Sequence, residues 1–472
     1  MSRIKVKWNK QEFAVDVDLN EQVSLLKSQL LSLSGVLPEK QKLMLKGKVL
    51  QDSQILSQAG IKENITIMMM GTATEFVEPK EEIKFMEDLT PQEKALAYKQ
   101  SEGVPIPAGL VNLGNTCYMN STLQCLRRVP ELSQALGNYS LTNPNDLTQK
   151  LTHELKELFK NIELVGTAFT PFTFVHTLRT TFPLFDETDE EGRHKQQDAE
   201  ECLTNVLETA RTQLNMPNAT GWSGNVIEDL FGIEFQTTIK CEESPEEPPQ
   251  MMVEYSKKLM CIIDNEGQPV DHLPDGIRAG LEGFIEKQSE SLGRNAQYKK
   301  TQRINRLPGY LVVQFVRFIW KRASSVAGTK DVKAKILRSV TFPKVLDTYE
   351  FCSDELKNSL NIGRDMEAQV RERELEESKE KPKEHKSGTA EFGTGLDTGH
   401  YQLVGVVTHK GRSADSGHYV GWAYVKDDIW MKYDDDFVTQ VTTEDILNLR
   451  GGGDWHMAYL LLYRKMQFMP QE

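Results

Sequence analysis

The sequence predicts an α+β protein built as at least two units, and three observations carry that reading. The first seventy or so residues run strand, strand, helix, strand, strand. Beyond about residue 100, segments with helical periodicity come first and long strands follow, the separation that marks the α+β class. The chain has 472 residues, too many for one small core, so two or three units are the natural expectation.

Composition narrows the function classes. With 56 basic and 69 acidic residues the net charge is −13, which argues against a nucleic-acid partner and suits a basic protein partner. No apolar run is long enough to cross a bilayer. The opening Met1-Ser2-Arg3-Ile4-Lys5-Val6 alternates like a strand and lacks the apolar core of a signal peptide. Six cysteines at irregular spacing make no disulfide scaffold, and without a Cys-x-x-Cys pair a structural zinc site is not expected. The expected setting is reducing, cytoplasm or nucleus, and no cofactor is implied.

In the first unit, Ile4 to Lys7 and Phe13 to Val17 alternate around the turn Trp8-Asn9-Lys10-Gln11. Val23, Leu26, Leu30 and Leu33 follow at helical spacing, with Gly35 as the stop. Lys42 to Leu45 is a short strand, Gly47-Lys48 a turn, and Asn64 to Met70 a last strand. This order and spacing resemble a ubiquitin-like β-grasp domain. The stretch ends Met70-Gly71-Thr72-Ala73 with no Gly-Gly, so the resemblance implies a docking module over residues 1–72 rather than a cleavable modifier. Trp8, Met44 and Met68 are the candidates for its apolar patch. Residues 73–100 are charged and Pro-spaced, a linker by composition, with a short helix possible from Pro91 to Gln100.

From 101 to 465 one large domain carries insertions. Helical faces are expected over 147–162 and 198–214, and a strand from Phe231 to Ile239. The acidic, Pro-rich 241–250 reads as a loop tip, and Tyr310 to Phe318 as a long central strand. The low-complexity stretch within 364–395 reads as a solvated, partly helical or disordered insertion.

The chemistry centres on the stretch Gly109 to Leu126. Its first half has loop composition, and from Tyr118 onward it has helical spacing. Asn115 or Thr116 is the expected N-cap, so Cys117 falls in the first turn, at the end of the helix dipole that favours an anion. A lone cysteine in such a place is more often a small core residue, and Cys125 and Cys202 are read that way. The C-terminal third changes the reading. Tyr401 to Val407 is a strand, His409 to Gly417 a polar loop, His418 to Val425 a second strand and Ile429 to Asp436 a third. A turn centred on Asp427 places His418 opposite residues 434–436. An imidazole facing a carboxylate across strands is the base-and-orienter half of a triad. The three types together form a nucleophilic set, with His409 as the rival base assigned a structural role.

Those segments resemble the boxes of the ubiquitin-specific cysteine peptidases. Gly109 to Ser121 is similar to their cysteine box. Tyr401 to His409, Ser416 to Gly421 and Trp430 to Asp435 are similar to their histidine box, and Gln196 to Glu201 to the helix-opening box between, with Glu200 where the family often has histidine. The resemblance implies a papain-like domain of fingers, palm and thumb, with Cys117 as nucleophile, His418 as general base and Asp434 as its orienter. It also implies Asn112 as the oxyanion donor and Asp435 as a polar neighbour of the oxyanion. With the N-terminal unit it points to the branch that works at the proteasome. The implied partners are ubiquitin, ubiquitinated proteins and the proteasome regulatory particle. Fingers at about 235–310 hold only Cys241 and Cys261, so no zinc is expected there. The aromatics Phe315, Phe318, Tyr419 and Tyr433 are cleft-lining candidates or core residues. Loops at about 319–333 and 411–417 are candidates to cover the cleft, with Ser413 or Ser416 as modification sites. The alternative of a non-catalytic ubiquitin-binding scaffold is disfavoured because both nucleophile and base are present, and a papain-like protease of general specificity is disfavoured by the ubiquitin-like unit and the spacing of the boxes.

Overall fold

The computed structural model describes residues 2–71 except 10, 18, 20, 25, 28–29, 31–35, 37–39, 53 and 63–64. It also describes 106–469 except 165–167, 216–222, 266–267, 322–331, 379–394, 412–415 and 454. The helix stop at Gly35, the 73–100 linker and Ser413 therefore lie outside the described residues. The chain divides into Met1–Leu89 and Thr90–Glu472, each considered by itself.

The first unit is a five-stranded sheet of β1 (Ser2–Trp8), β2 (Gln11–Val17), β3 (Lys42–Leu45), β4 (Lys48–Val49) and β5 (Thr66–Met70), in spatial order β2-β1-β5-β3-β4. β1 pairs antiparallel with β2 and parallel with β5. Left-handed residues close both hairpins: Asn9 in the first, Lys46 and Gly47 in the second, one residue earlier than the spacing suggests. Ile4, Val6, Val17, Leu26, Leu43 and Ile67 form the core. Period-two alternation then turns Met68 and Met70 outward, 59% and 55% exposed, beside an exposed Val49 and a half-buried Met44. Trp8 is not free on this face. It stacks on Phe13, and its indole N–H donates to the Gly71 carbonyl at 2.8 Å.

The second unit opens with the helices Cys117–Leu126, Pro130–Asn138, Leu147–Leu164, Phe172–Thr181, Ala199–Gln213 and Val226–Phe231. They pack on an eight-stranded sheet. From one edge its order is Phe437–Thr442, Ile429–Asp434, His418–Lys426, Leu396–Lys410, Met457–Phe468, Tyr310–Val316 and Leu259–Ile262, with Val345–Asp347 beside Leu396–Lys410. Both faces of this sheet are covered. Val312, Val407, Tyr419 and Leu460 face the helical core, and Phe315, Val406, Trp422 and Leu461 face a second core that includes Ile277 and Leu360.

A separate four-stranded sheet runs Glu282–Ser289, Arg294–Arg306, Ile233–Cys241 and Gln250–Ser256 in that order. Its tip is tied by one carboxylate: Glu247 accepts from Ser289 Oγ (2.6 Å), Tyr298 OH (2.6 Å) and Ser291 Oγ (2.9 Å).

Two sequence expectations need correction. Tyr310 to Phe318 is not one strand, because Arg317 breaks it. Arg317 is fully buried and donates to the carbonyls of Ala458, Ile336 and Arg338, and the chain resumes pairing only at Phe318–Lys321. The start of the charged insertion is helical, in keeping with the partly helical alternative: it continues the helix Asp354–Ser378, whose Leu360 is buried in the second core. The strand expected from Phe231 starts at Ile233, since Phe231 closes a short helix capped by Asn225.

Candidate active site

The cysteine loop and the histidine hairpin meet because glycine permits it. A Cβ on Gly109 would stand 2.5 Å from the Asp436 carbonyl, and Leu110 N–H donates to Asp435 O at 2.8 Å, zipping loop to hairpin turn. Gly114 and Asn115 take left-handed conformations and turn the chain into the helix. The helix begins at Cys117, as its spacing predicts, but the expected cap does not form. Thr116 occupies the cap position without capping, and its hydroxyl instead accepts from Leu113 N–H at 2.9 Å. Asn112 Oδ1 accepts from the N–H groups of Gly114 (3.0 Å) and Thr116 (3.2 Å), so the side chain that organises this loop is Asn112. The helix is buried along its whole length. It lies on the His418–Lys426 strand at Gly421, where a Cβ would meet Ser121 O at 2.8 Å.

The hairpin register follows from its turn. Asp427 is left-handed, Gly421 pairs with Tyr433 and Trp422 with Lys432. The paired ladder stops at Gly421 and Tyr433. Beyond it Asp434 is the last residue of its strand and Asp435 lies in the turn, and His418, which opens its own strand, reaches Asp434 there. His418 Nε2 and Asp434 Oδ1 stand 2.6 Å apart, and Asp434 is only 5% exposed. The Cys117 thiol at the helix start acts on the charge of the same imidazole. Burial opposes charge on the imidazole, but Asp434 and Cys117 outweigh it and carry its pKa up to about 10. Burial likewise opposes charge on Asp434, and there the bond to His418 and the nearby Lys432 ammonium win, holding the carboxylate well below its usual range. At Asp435 burial wins and the pKa rises.

The hairpin and the cysteine loop thus bring all five candidate residues into one neighbourhood. Cys117 and Asp434 both act on His418. Asp435 sits left-handed in the turn, its Oδ2 accepting from Asn112 Nδ2 and its Oδ1 from Asn120 Nδ2, both at 2.8 Å. It orients donors. His409 is buried at the end of the neighbouring strand, its Nδ1 2.7 Å from Lys335 Nζ. Burial first, and then the Lys335 charge, lower its pKa to about 3.

Sequence reasoning passed over Asn120, Lys432 and Lys335. Asn120 had a signal, a polar residue on a helix otherwise set into the core; Lys335, 74 residues before its partner, had none. Of the two readings of the aromatics, the core one holds. Phe315, Tyr419 and Tyr433 are buried, because the sheet is covered on both faces, and Phe318 packs its ring against His409 and Tyr459. A separate open cavity of about 520 Å³, which none of the five candidate residues lines, is bounded by Asp198, Glu201, Glu208, Gln314, Lys258 and Tyr459. Among the described residues no group of three or more His, Cys, Asp or Glu side chains is placed to hold a metal.

A thiol at a helix start beside an imidazole that is hydrogen-bonded to a carboxylate, on a helix-and-sheet scaffold, defines a thiol hydrolase. The chain belongs to the ubiquitin carboxyl-terminal hydrolase family, whose model matches residues 108–463, while the ubiquitin family model matches residues 4–74. It is a deubiquitinating cysteine hydrolase that carries an N-terminal ubiquitin-like domain. Over 98% of its length it is 41% identical to ubiquitin carboxyl-terminal hydrolase 6 of Arabidopsis thaliana, covering 99% of that protein. Similar coverage holds for ubiquitin carboxyl-terminal hydrolase 14 of Caenorhabditis elegans, at 37% identity over 98% of this chain and 93% of that protein. Ubiquitin carboxyl-terminal hydrolase 6 of Schizosaccharomyces pombe is 35% identical over 98% and 99%.

Proposed function

We propose that Cys117 is the nucleophile, His418 the general base and acid, and Asp434 the residue that orients and charges His418. The observation that carries this reading is the single His418 imidazole, held 2.6 Å from the Asp434 carboxylate and raised in pKa by both that carboxylate and the Cys117 thiol. The substrate is the bond that follows the C-terminal glycine of ubiquitin, usually an isopeptide to a lysine amine. The Cys117 sulfur forms a bond to that glycine's carbonyl carbon, and the carbonyl oxygen becomes an oxyanion. The Cys117 backbone N–H and the remaining N–H of the Asn112 amide serve as its donors, and Asp435 holds Asn112 in place. His418 gives its proton to the leaving amine as the carbon–nitrogen bond breaks, and then activates the water that hydrolyses the thioester.

In the same reading the N-terminal domain docks on the proteasome regulatory particle through the face of Met44, Val49, Met68 and Met70. That placement has the enzyme strip and recycle ubiquitin from proteins at the proteasome, in cytoplasm and nucleus. The domain limits are 1–72 for docking, 73–100 for the linker and 101–465 for the peptidase. Release of a fluorophore from the ubiquitin C-terminus tests the chemistry: wild type turns over and Cys117→Ala does not. Residual turnover in Cys117→Ala at more than about a hundredth of wild type contradicts the assignment. Co-purification with proteasomes tests docking, which a chain lacking residues 1–100 is expected to lose while keeping hydrolysis of free substrate.

A further inference from the structure

We infer that Lys432 is a positioning residue for the reaction: its ammonium holds the far oxygen of Asp434, so that the near oxygen faces His418. The inference rests on the triad reading above and extends it by one residue. Lys432 and Asp434 are two apart on one strand and therefore share a face, and Lys432 Nζ lies 3.1 Å from Asp434 Oδ2 while Oδ1 is 2.6 Å from His418 Nε2. Each carboxylate oxygen has its own cationic partner. With His418 alone, the carboxylate could swing about its Cβ–Cγ bond and still keep one contact; a second partner on the second oxygen fixes its plane.

The lysine itself is held. It is 8% exposed, pairs across the hairpin with Trp422, and its ammonium stands 5.6 Å from the centre of the Trp422 ring. A buried ion pair is a poor device for stability, because the cost of desolvating two charges cancels most of their attraction. Its effect is sought in geometry and charge. Cys117 on the facing helix, His418 on the adjacent strand, Lys410 at the end of the strand beyond, His456 just before the strand Met457–Phe468, and Asp435 in the turn complete the titratable surroundings. Removing one positive charge from that neighbourhood raises the affinity of the others for protons.

The experiment compares full-length wild type with Lys432→Met and Lys432→Arg, each also on an Asp434→Asn background, by ubiquitin–fluorophore turnover and by the pH profile of Cys117 alkylation. Lys432→Met is expected to lower kcat roughly 10- to 100-fold, the scale of one charged hydrogen bond, with KM changed less than twofold. The basic limb of alkylation, which reports loss of the His418 proton, is expected to move to higher pH. Lys432→Arg restores most of kcat, and on Asp434→Asn the methionine change costs little more. An unmoved alkylation profile, a loss confined to KM, or full additivity with Asp434→Asn overturns the inference. Lys432→Gln gives the same readouts if the methionine variant does not fold. Failure of the triad reading shows separately, as turnover that survives Cys117→Ala.

Discussion

Two imidazoles stand at the two ends of one loop, His409 closing the Leu396–Lys410 strand and His418 opening the next. Both are set into the protein, and burial opposes charge on both. Yet one is raised to about 10 and the other lowered to about 3. What separates them is the second partner. His418 faces the Asp434 carboxylate, and His409 faces the Lys335 ammonium, which also donates to the carbonyls of His409 (2.8 Å) and Gly411 (2.9 Å). A carboxylate makes an imidazole a proton carrier; an ammonium makes it a neutral acceptor that ties down a strand end. The environment chooses the base, and the residue type does not.

The largest expected effect separates the two directly. His418→Ala should lower kcat/KM roughly 100- to 10,000-fold, the usual worth of a general base, whereas His409→Ala should cost less than about tenfold. Equal losses in the fluorophore-release assay would break the comparison. Next, Asp434→Asn removes the charge that holds the His418 proton. The basic limb of Cys117 alkylation should then fall from near 10 toward the ordinary value of 6.5, with kcat down about 100-fold. Gly417→Ala probes the neck between the two rings. Its Cβ would stand 2.6 Å from His409 Nε2 and closer still to the Lys410 carbonyl, at a φ of +146°. A loss of about 1–3 kcal/mol in denaturant unfolding is expected.

The smallest effect concerns Lys335→Met, which removes the Lys335 donor from three acceptors and should cost about 0.5–1.5 kcal/mol near neutral pH. The same change should raise the His409 pKa, because a neighbouring cation is lost. The pH dependence has opposite signs at the two sites. The folded pKa of His409 lies below its unfolded value, so its stability is whole above about 6.5 and is lost as pH falls toward 3. The folded pKa of His418 lies above, so its contribution is whole below about 6.5 and is lost as pH rises through 10. Urea unfolding between pH 4 and 7 should therefore be less steep in pH for Lys335→Met than for wild type.

What could be read from the sequence was local. The His418 and Asp434 partnership follows from a two-residue period and a turn at Asp427, and the Cys117 helix start follows from loop residues giving way to helical spacing. Where several groups compete for one donor or acceptor, the sequence was misleading. Thr116 looks like a cap, but its hydroxyl is taken by Leu113 N–H. Tyr419 and Tyr433 stay open between cleft wall and core until the covering of both sheet faces is known. Arg317 interrupts an apolar run because four carbonyls, on segments as far away as residue 458, converge on its guanidinium. Partners that far apart in the chain leave no pattern in a single sequence. The short helices Pro130–Asn138 and Phe172–Thr181 contain too few turns for periodicity to declare them.

The central claim is that Asp434 keeps one of two buried neighbouring imidazoles charged, while burial, reinforced by Lys335, keeps the other neutral. Imidazole NMR titration of the labelled full-length chain reads both rings at once. The account predicts that His418 is still protonated at pH 8 and that His409 stays neutral down to about pH 4. Two rings titrating together near pH 6.5 would contradict it.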